Sequence, residues 1–265
     1  MTTTDTSPAT PRVAGGRWAG TRKLTLMEFK LYLREPAALF FTILLPVGLL
    51  LILGSAIPGF QEPDPARGGE RVVDSHLPAM MILLSVGTSA FSAIPAALAT
   101  YRERGILRRL SATPLSPVRL LAAQLLVNLT TAVVAVVVTI GLGNLVLGTR
   151  VPERPVWFAV AFTLGVCALF VLGLCVAAVV PNSRVAGGIG AAVLFPLLFF
   201  AGMWLPRELM PEALRTVSDF TPTGAFGQAM RDAWLGGTPQ VLHLAVLVAW
   251  TAVAALVAAR LFRWE

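Results

Sequence analysis

Residues 120–149 read LLAAQLLVNLTTAVVAVVVTIGLGNLVLGT, thirty residues without an Asp, Glu, Lys or Arg. A bilayer hydrocarbon core about 30 Å thick is crossed by about 20 helical residues. A charge at the centre of such a helix costs about 2.5–3.5 kcal/mol on insertion scales. The stretch therefore reads as a transmembrane helix. Five more charge-free stretches flank it, at 37–57, 77–100, 156–180, 185–205 and 240–259, with 21, 24, 25, 21 and 20 residues. All 35 charged residues lie between or outside the six. The expected fold is an all-α polytopic membrane protein with six spans. Composition agrees: 56% of the 265 residues are hydrophobic and 13% charged, against roughly 45–50% and about 25% in soluble domains. That excludes a disordered acidic chain and argues against a soluble enzyme.

Basic residues orient the spans. The segments on the side of the termini hold 14 Lys and Arg, those on the opposite side 7. The positive-inside rule then places both termini in the cytoplasm of a cell that carries this multi-pass chain in its plasma membrane. The net charge of +7 is mostly topology; a nucleic-acid partner would need a basic face on a folded module. Residues 1–20 are polar, so no cleavable signal peptide is expected, and 1–16 read as a disordered cytoplasmic tail. Cys167 and Cys175 stand eight apart on the fourth span, about 12 Å along a helix and beyond disulfide reach.

The catalytic inventory is nearly empty. His76 and His243 are the only histidines, and no carboxylate accompanies either at helical spacing, so neither builds a metal pair. The lysines Lys23 and Lys30 follow no glycine-rich loop, which excludes a Walker A site. Gly187, Gly188 and Gly190 open the fifth span and suit close helix packing. No ionisable relay lies mid-span, as proton- or voltage-driven transporters usually require. A transporter of this composition takes its energy from another chain.

The spans carry neutral polar stripes. Ser85, Ser89 and Ser92 recur at i, i+4, i+7 on span two beside Thr88, and Gln124, Asn128 and Thr131 do so on span three. Two uses stand open, interhelical hydrogen bonding and a substrate-facing path. Pro46, Pro78, Pro95 and Pro196 lie within or at the ends of spans, each removing an N–H and able to kink its helix.

Three amphipathic segments lie outside the spans. In 22–34, Leu24, Met27 and Leu31 form one apolar stripe and Leu26, Phe29 and Leu33 another, with Lys23, Lys30 and Arg34 between. Such a helix lies in the interface, either as a simple anchor or pinned between lipid and protein. The loop 101–119, YRERGILRRLSATPLSPVR, sets five arginines against Glu103 alone; Ile106, Leu107 and Leu110 suggest a short helix with an apolar edge. Between spans five and six, Met210, Ala213, Leu214 and Val217 make one amphipathic row. After the Thr221-Pro222-Thr223-Gly224 break, Phe226, Met230, Ala233 and Trp234 make a second. Both helices are expected at, or dipping into, the outer leaflet, with Trp204 and Trp234 at the outer interface and Trp264 at the inner one.

This order resembles the permease subunit of type-2 ABC exporters of the daunorubicin-resistance type. The resemblance covers about residues 18–265. It rests on EFKLYLREP (28–36), YRERGILRRLSATPLSP (101–117), the glycine-rich start of span five, and FPLLFFAGMWLPRELMPEALRTVSDFTPTGAF (195–226). The stretch E-R-G-x-L-x-R-L-x-x-T-P-L-S-P is its most specific part. The resemblance implies one transmembrane domain over 17–265, drug export with antibiotic resistance, and a homodimer. It implies no cofactor on this chain, with ATP and Mg²⁺ on a separate ATPase subunit. By the same resemblance 22–34 is a connecting helix, and 101–110 is a coupling helix on the ATPase, carrying Tyr101, Arg102, Glu103, Arg104, Gly105, Leu107, Arg108 and Arg109. The pre-span-six segment forms paired re-entrant helices. Where the family often reads N-P-L-T-Y, this chain has Thr221-Pro222-Thr223-Gly224-Ala225. Spans one, two and five are implied to line the path, which points to Ser85, Ser89, Ser92, Phe195 and Phe199. A polysaccharide or glycoconjugate exporter, a secondary transporter and a non-transporting assembly protein remain the alternatives.

Overall fold

The computed structural model describes residues 17–65, 68–106 and 117–261. Within them the chain forms α1 (Arg17–Leu33), α2 (Pro36–Ala56), α3 (His76–Glu103), α4 (Pro117–Leu147), α5 (Pro155–Val179), α6 (Ser183–Phe200), α7 (Glu212–Phe220), α8 (Pro222–Trp234) and α9 (Val241–Leu261), joined by turns and short 3-10 segments. Six of these, α2 to α6 and α9, are long and apolar enough to cross a membrane. No strand occurs among the described residues, only an isolated bridge between Asp64 and Glu70. The tail 1–16 and Trp264 lie outside the described residues.

The fifth span is shorter than its apolar run. α6 stops at Phe200, and Gly202 turns the chain with φ +90°. The Gly202 N–H donates to the Phe199 carbonyl at 3.0 Å and the Met203 N–H to Leu198 at 3.1 Å. This is a Schellman ending, which needs a left-handed residue that glycine adopts at no steric cost. Hydropathy continues to Leu205, so composition alone does not mark the stop.

The bundle is built around α3. In its apolar window 78% of residues are buried, against 22–44% in the other spans. α2 and α3 each contain a π-turn, Phe40–Leu44 and Ser89–Ala93, followed within two residues by Pro46 or Pro95. Proline lacks the N–H that the carbonyl four residues back would accept. In α2 that carbonyl belongs to Thr42, and the Ser85 hydroxyl of α3 donates to it instead. In α3 the π-turn is clasped on both sides by glycines. A Cβ on Gly173 of α5 would meet the Ala90 carbonyl, and one on Gly190 of α6 the Phe91 carbonyl. Gly190 thus serves close packing, whereas a Cβ on Gly187 or Gly188 meets nothing within 4 Å. The other polar row, on α4, is buried but partly bonds its own helix: Asn128 Nδ2 donates to the Gln124 carbonyl at 2.9 Å and Thr131 Oγ1 to Val127 at 3.0 Å.

α1 packs on α4 by an unexpected face. Met27, Leu31 and Leu33 are exposed, while Glu28 and Tyr32 are buried. Apolar residues of an interfacial helix are solvated by acyl chains, so the polar groups are the ones that seek partners in the protein. α7 behaves as an amphipathic surface helix, with Val217 and Phe220 exposed. α8 does not lie at the leaflet surface. Phe226, Ala229, Met230, Ala233 and Trp234 are buried, and Trp234 stacks edge-on against Phe158 of α5 at 5.3 Å. Trp234 is therefore a core residue rather than an interface anchor; its Nε1 donates to the Arg150 carbonyl at 2.9 Å. The Thr221–Gly224 turn caps α8: Thr221 Oγ1 accepts from the Gly224 N–H at 3.1 Å. A side chain at Gly224 would strike the Ser218 carbonyl.

Candidate substrate cavity and coupling end

A cavity of about 510 Å³ opens between α2, α3 and α6. Leu45, Leu84, Leu194 and Leu198 make its apolar wall, Thr88 and Ser92 add hydroxyls, and Phe195 closes one side. Phe195 is 54% exposed and stacks on Trp204 with ring centroids 5.9 Å apart. The structure divides the sequence-predicted path residues. Ser92 and Phe195 meet at the cavity; Ser85, Ser89 and Phe199 do not line it. Ser85 is 1% exposed and bonds Thr42 of α2. Ser89 is equally buried, and its hydroxyl finds no acceptor among the described residues. Phe199 packs edge-on against Phe200 at 5.6 Å. The i, i+4, i+7 rule assumes 100° per residue, and the π-turn inside Ser89–Ala93 overturns that spacing.

The residues expected to form a separate coupling helix are partly the end of α3. Tyr101, Arg102 and Glu103 belong to its last turn, and Gly105 ends it with φ +62°. Leu107, Arg108, Arg109 and Leu110 lie outside the described residues. The three successive side chains reach three different helices. Tyr101 donates its hydroxyl to the Glu28 carboxylate of α1. Arg102 donates to the Ala177 and Val180 carbonyls at 2.6 and 2.7 Å, satisfying the C-terminal end of α5. Glu103 accepts from the Ser183 N–H at 2.8 Å and from the Ser183 hydroxyl at 3.0 Å, holding the first turn of α6. Glu103 therefore bonds across to α6. Arg104 is exposed.

Glu28, Tyr32, Thr42 and Ser183 had no place among the sequence-predicted site residues. Burial pushes the Glu28 carboxyl above the ordinary carboxylate range, against the Tyr101 hydrogen bond that lowers it. Tyr32 Oη lies 2.8 Å from Thr42 Oγ1, which donates to the Ala38 carbonyl at 2.6 Å, so the phenol is the donor. α1, the α2 π-turn and α3 thus share one polar chain. The signal was present in EFKLYLREP, where Glu28 and Tyr32 recur at i, i+4 in the gap between the two apolar stripes.

The far end holds a second polar cluster. Arg207 grips Asp219 of α7 with two nitrogens, at 2.5 and 2.8 Å, and His243 Nε2 of α9 lies 3.1 Å from the same carboxylate. Arg231 of α8 pairs with Glu208 at 3.3 Å. Burial acts to lift the Asp219 carboxyl, but the bonds from Arg207 and His243 outweigh it and hold the group below the ordinary carboxylate range. His243 is 2% exposed, so it is a buried partner rather than an interfacial histidine. Its carboxylate lies 24 residues away in sequence, where a search at helical spacing does not look.

Six apolar spans, a cavity between three of them and a buried helix at the far end define the class as a polytopic membrane protein. Residues 21–235 match the ABC-2 type transporter family, and the chain belongs to it. It is similar to the protein named "Putative transport permease YvfS" of Bacillus subtilis (strain 168), with 21% identity over 230 residues, 86% of this chain and 91% of that protein.

Proposed function

We propose that this chain is the membrane subunit of an ABC exporter that moves an amphipathic drug or lipid-like substrate outward from the cytoplasm or the inner leaflet. ATP is hydrolysed on a separate ATPase subunit, and two permease copies pair. The observation that carries this reading is the cavity between α2, α3 and α6, apolar along its wall yet bearing hydroxyls and charges. The test is substrate-stimulated ATP hydrolysis by the reconstituted permease and ATPase, run over a panel of drugs, lipids and glycans. Ser92→Phe and Phe195→Ala should each change the order in which amphipaths stimulate hydrolysis, by about tenfold for the most affected compound. Ser89→Leu should instead lower thermal stability and leave the order alone. Stimulation by glycans only, or an order unmoved by both cavity variants, rejects the reading.

The termini-bearing end faces the cytoplasm and receives the ATPase. In a Cys167→Ser, Cys175→Ser background, a membrane-impermeant thiol reagent added to intact cells should label Glu62→Cys and spare Arg104→Cys. Both positions are exposed. Labelling of Arg104→Cys from outside rejects this orientation.

The α3 end transmits the ATPase's movement through Tyr101, Arg102 and Glu103 to α1, α5 and α6. Glu103→Ala removes the acceptor for Ser183, and Gly105→Leu forces a left-handed φ on a branched side chain. Both variants should insert normally and lose most of the substrate stimulation of ATP hydrolysis. Normal coupled transport in both rejects the assignment.

A further inference from the structure

The cavity between α2, α3 and α6 is not uniform along its length. At membrane depth Leu45, Leu84, Leu194 and Leu198 line it. Its mouth, at the termini-bearing end, carries two charges of opposite sign. Glu35 is the N-cap residue of α2, and Arg184 stands in the first turn of α6. Both are exposed, and neither side chain makes a hydrogen bond or ion pair with another described residue. The nearby carboxylates already carry hydrogen bonds: Glu103 accepts from Ser183, with the Arg184 guanidinium acting on it only through its charge, and Glu28 accepts from Tyr101. Among the described residues the mouth therefore offers one carboxylate and one guanidinium that carry no hydrogen bond, at the end of an apolar chamber.

The ligand that complements this arrangement has both signs at one end and an aliphatic body. We propose that the cavity takes a zwitterionic amphipath. Its anionic group meets the Arg184 guanidinium, whose planar fork suits phosphate or carboxylate oxygens. Its cationic group meets Glu35, and its chain lies along the four leucines. A purely anionic amphipath brings its head against Glu35, and a purely cationic one against Arg184, so each loses one favourable contact and gains a repulsive one. The chamber, at about 510 Å³, falls within the roughly 300–1,000 Å³ of ligand pockets. The inference rests on reading this cavity as the substrate site.

The test measures binding of three tail-labelled dodecyl amphipaths to the maltoside-solubilised chain: dodecylphosphocholine, dodecyl phosphate and dodecyltrimethylammonium. Two cavity-filling variants, Ala191→Trp and Ser92→Phe, define partition into the micelle alone. The phosphocholine should bind about tenfold tighter than either singly charged probe, the worth of one charge-assisted hydrogen bond. Arg184→Gln should move the preference toward the ammonium probe and Glu35→Gln toward the phosphate probe. Equal binding of all three, abolished by filling the cavity but indifferent to Arg184 and Glu35, overturns the head-group assignment and leaves the cavity standing. Binding that survives both fillings overturns the cavity as the site.

Discussion

Gly173→Val should leave almost no folded protein, and Gly173→Ala should already melt roughly 5–10 °C below the unmodified chain. Gly173 sits where α5 crosses the α3 π-turn, and a Cβ there would overlap the Ala90 carbonyl. That carbonyl cannot retreat, because the next one, on Phe91, lies against Gly190 of α6. Overpacking a core costs about 1–3 kcal/mol when side chains can shift, and more when backbone must. In a chain of this size each kcal/mol lowers the melting point by about 2–4 °C. Gly187→Ala and Gly188→Ala are the controls, since a Cβ at either meets nothing within 4 Å. Thermal stability of the solubilised protein by size-exclusion chromatography reads the difference. Gly173→Ala melting with the unmodified chain would show that the crossing is looser than described.

The second large effect is expected at the far end. Asp219→Asn removes the charge that holds Arg207 and His243 together, tying α7 to α9 and to the turn after α6. Breaking a fully buried pair costs about 3–5 kcal/mol. With the Arg207 and Asp219 side chains each 19% exposed, about 2–3 kcal/mol is expected on the same basis. The pH dependence follows from the sign of the shift. The folded Asp219 carboxyl titrates below its unfolded value of 3.8, so its contribution is complete above that value. It is lost as pH falls through the lower folded value. The stability gap between the unmodified chain and Asp219→Asn should therefore close in acid below about pH 4. Arg207→Met should reproduce the neutral-pH loss by stranding the carboxylate. A gap unchanged down to pH 3 rejects Asp219 as its source.

The six spans were legible because hydrocarbon excludes charge, a rule that acts on each residue without reference to neighbours. The expected orientation rests on Lys and Arg by an equally local rule. Polar partnerships were not legible in the same way. Ser85, Ser89 and Ser92 share a face on an ideal helix, yet Pro95 and the π-turn before it rotate Ser92 into the cavity and leave Ser89 enclosed. Periodicity finds the two apolar stripes of α1 but cannot say which side of the helix meets the bundle. The buried side proved to be Glu28 and Tyr32.

By itself the sequence determined the number of spans and the helical pair α7 and α8 before the last of them, since length, hydropathy and proline or glycine punctuation act locally. Only the tertiary structure decided which glycine bears a helix crossing and which lies open at a cavity. It alone showed that Tyr101, Arg102 and Glu103 hold three different helices, and that His243 finds its carboxylate on α7. The reason is physical. In a membrane the hydrophobic effect inserts helices but does not pair them. Pairing is left to close packing and to single hydrogen bonds between residues far apart in the chain.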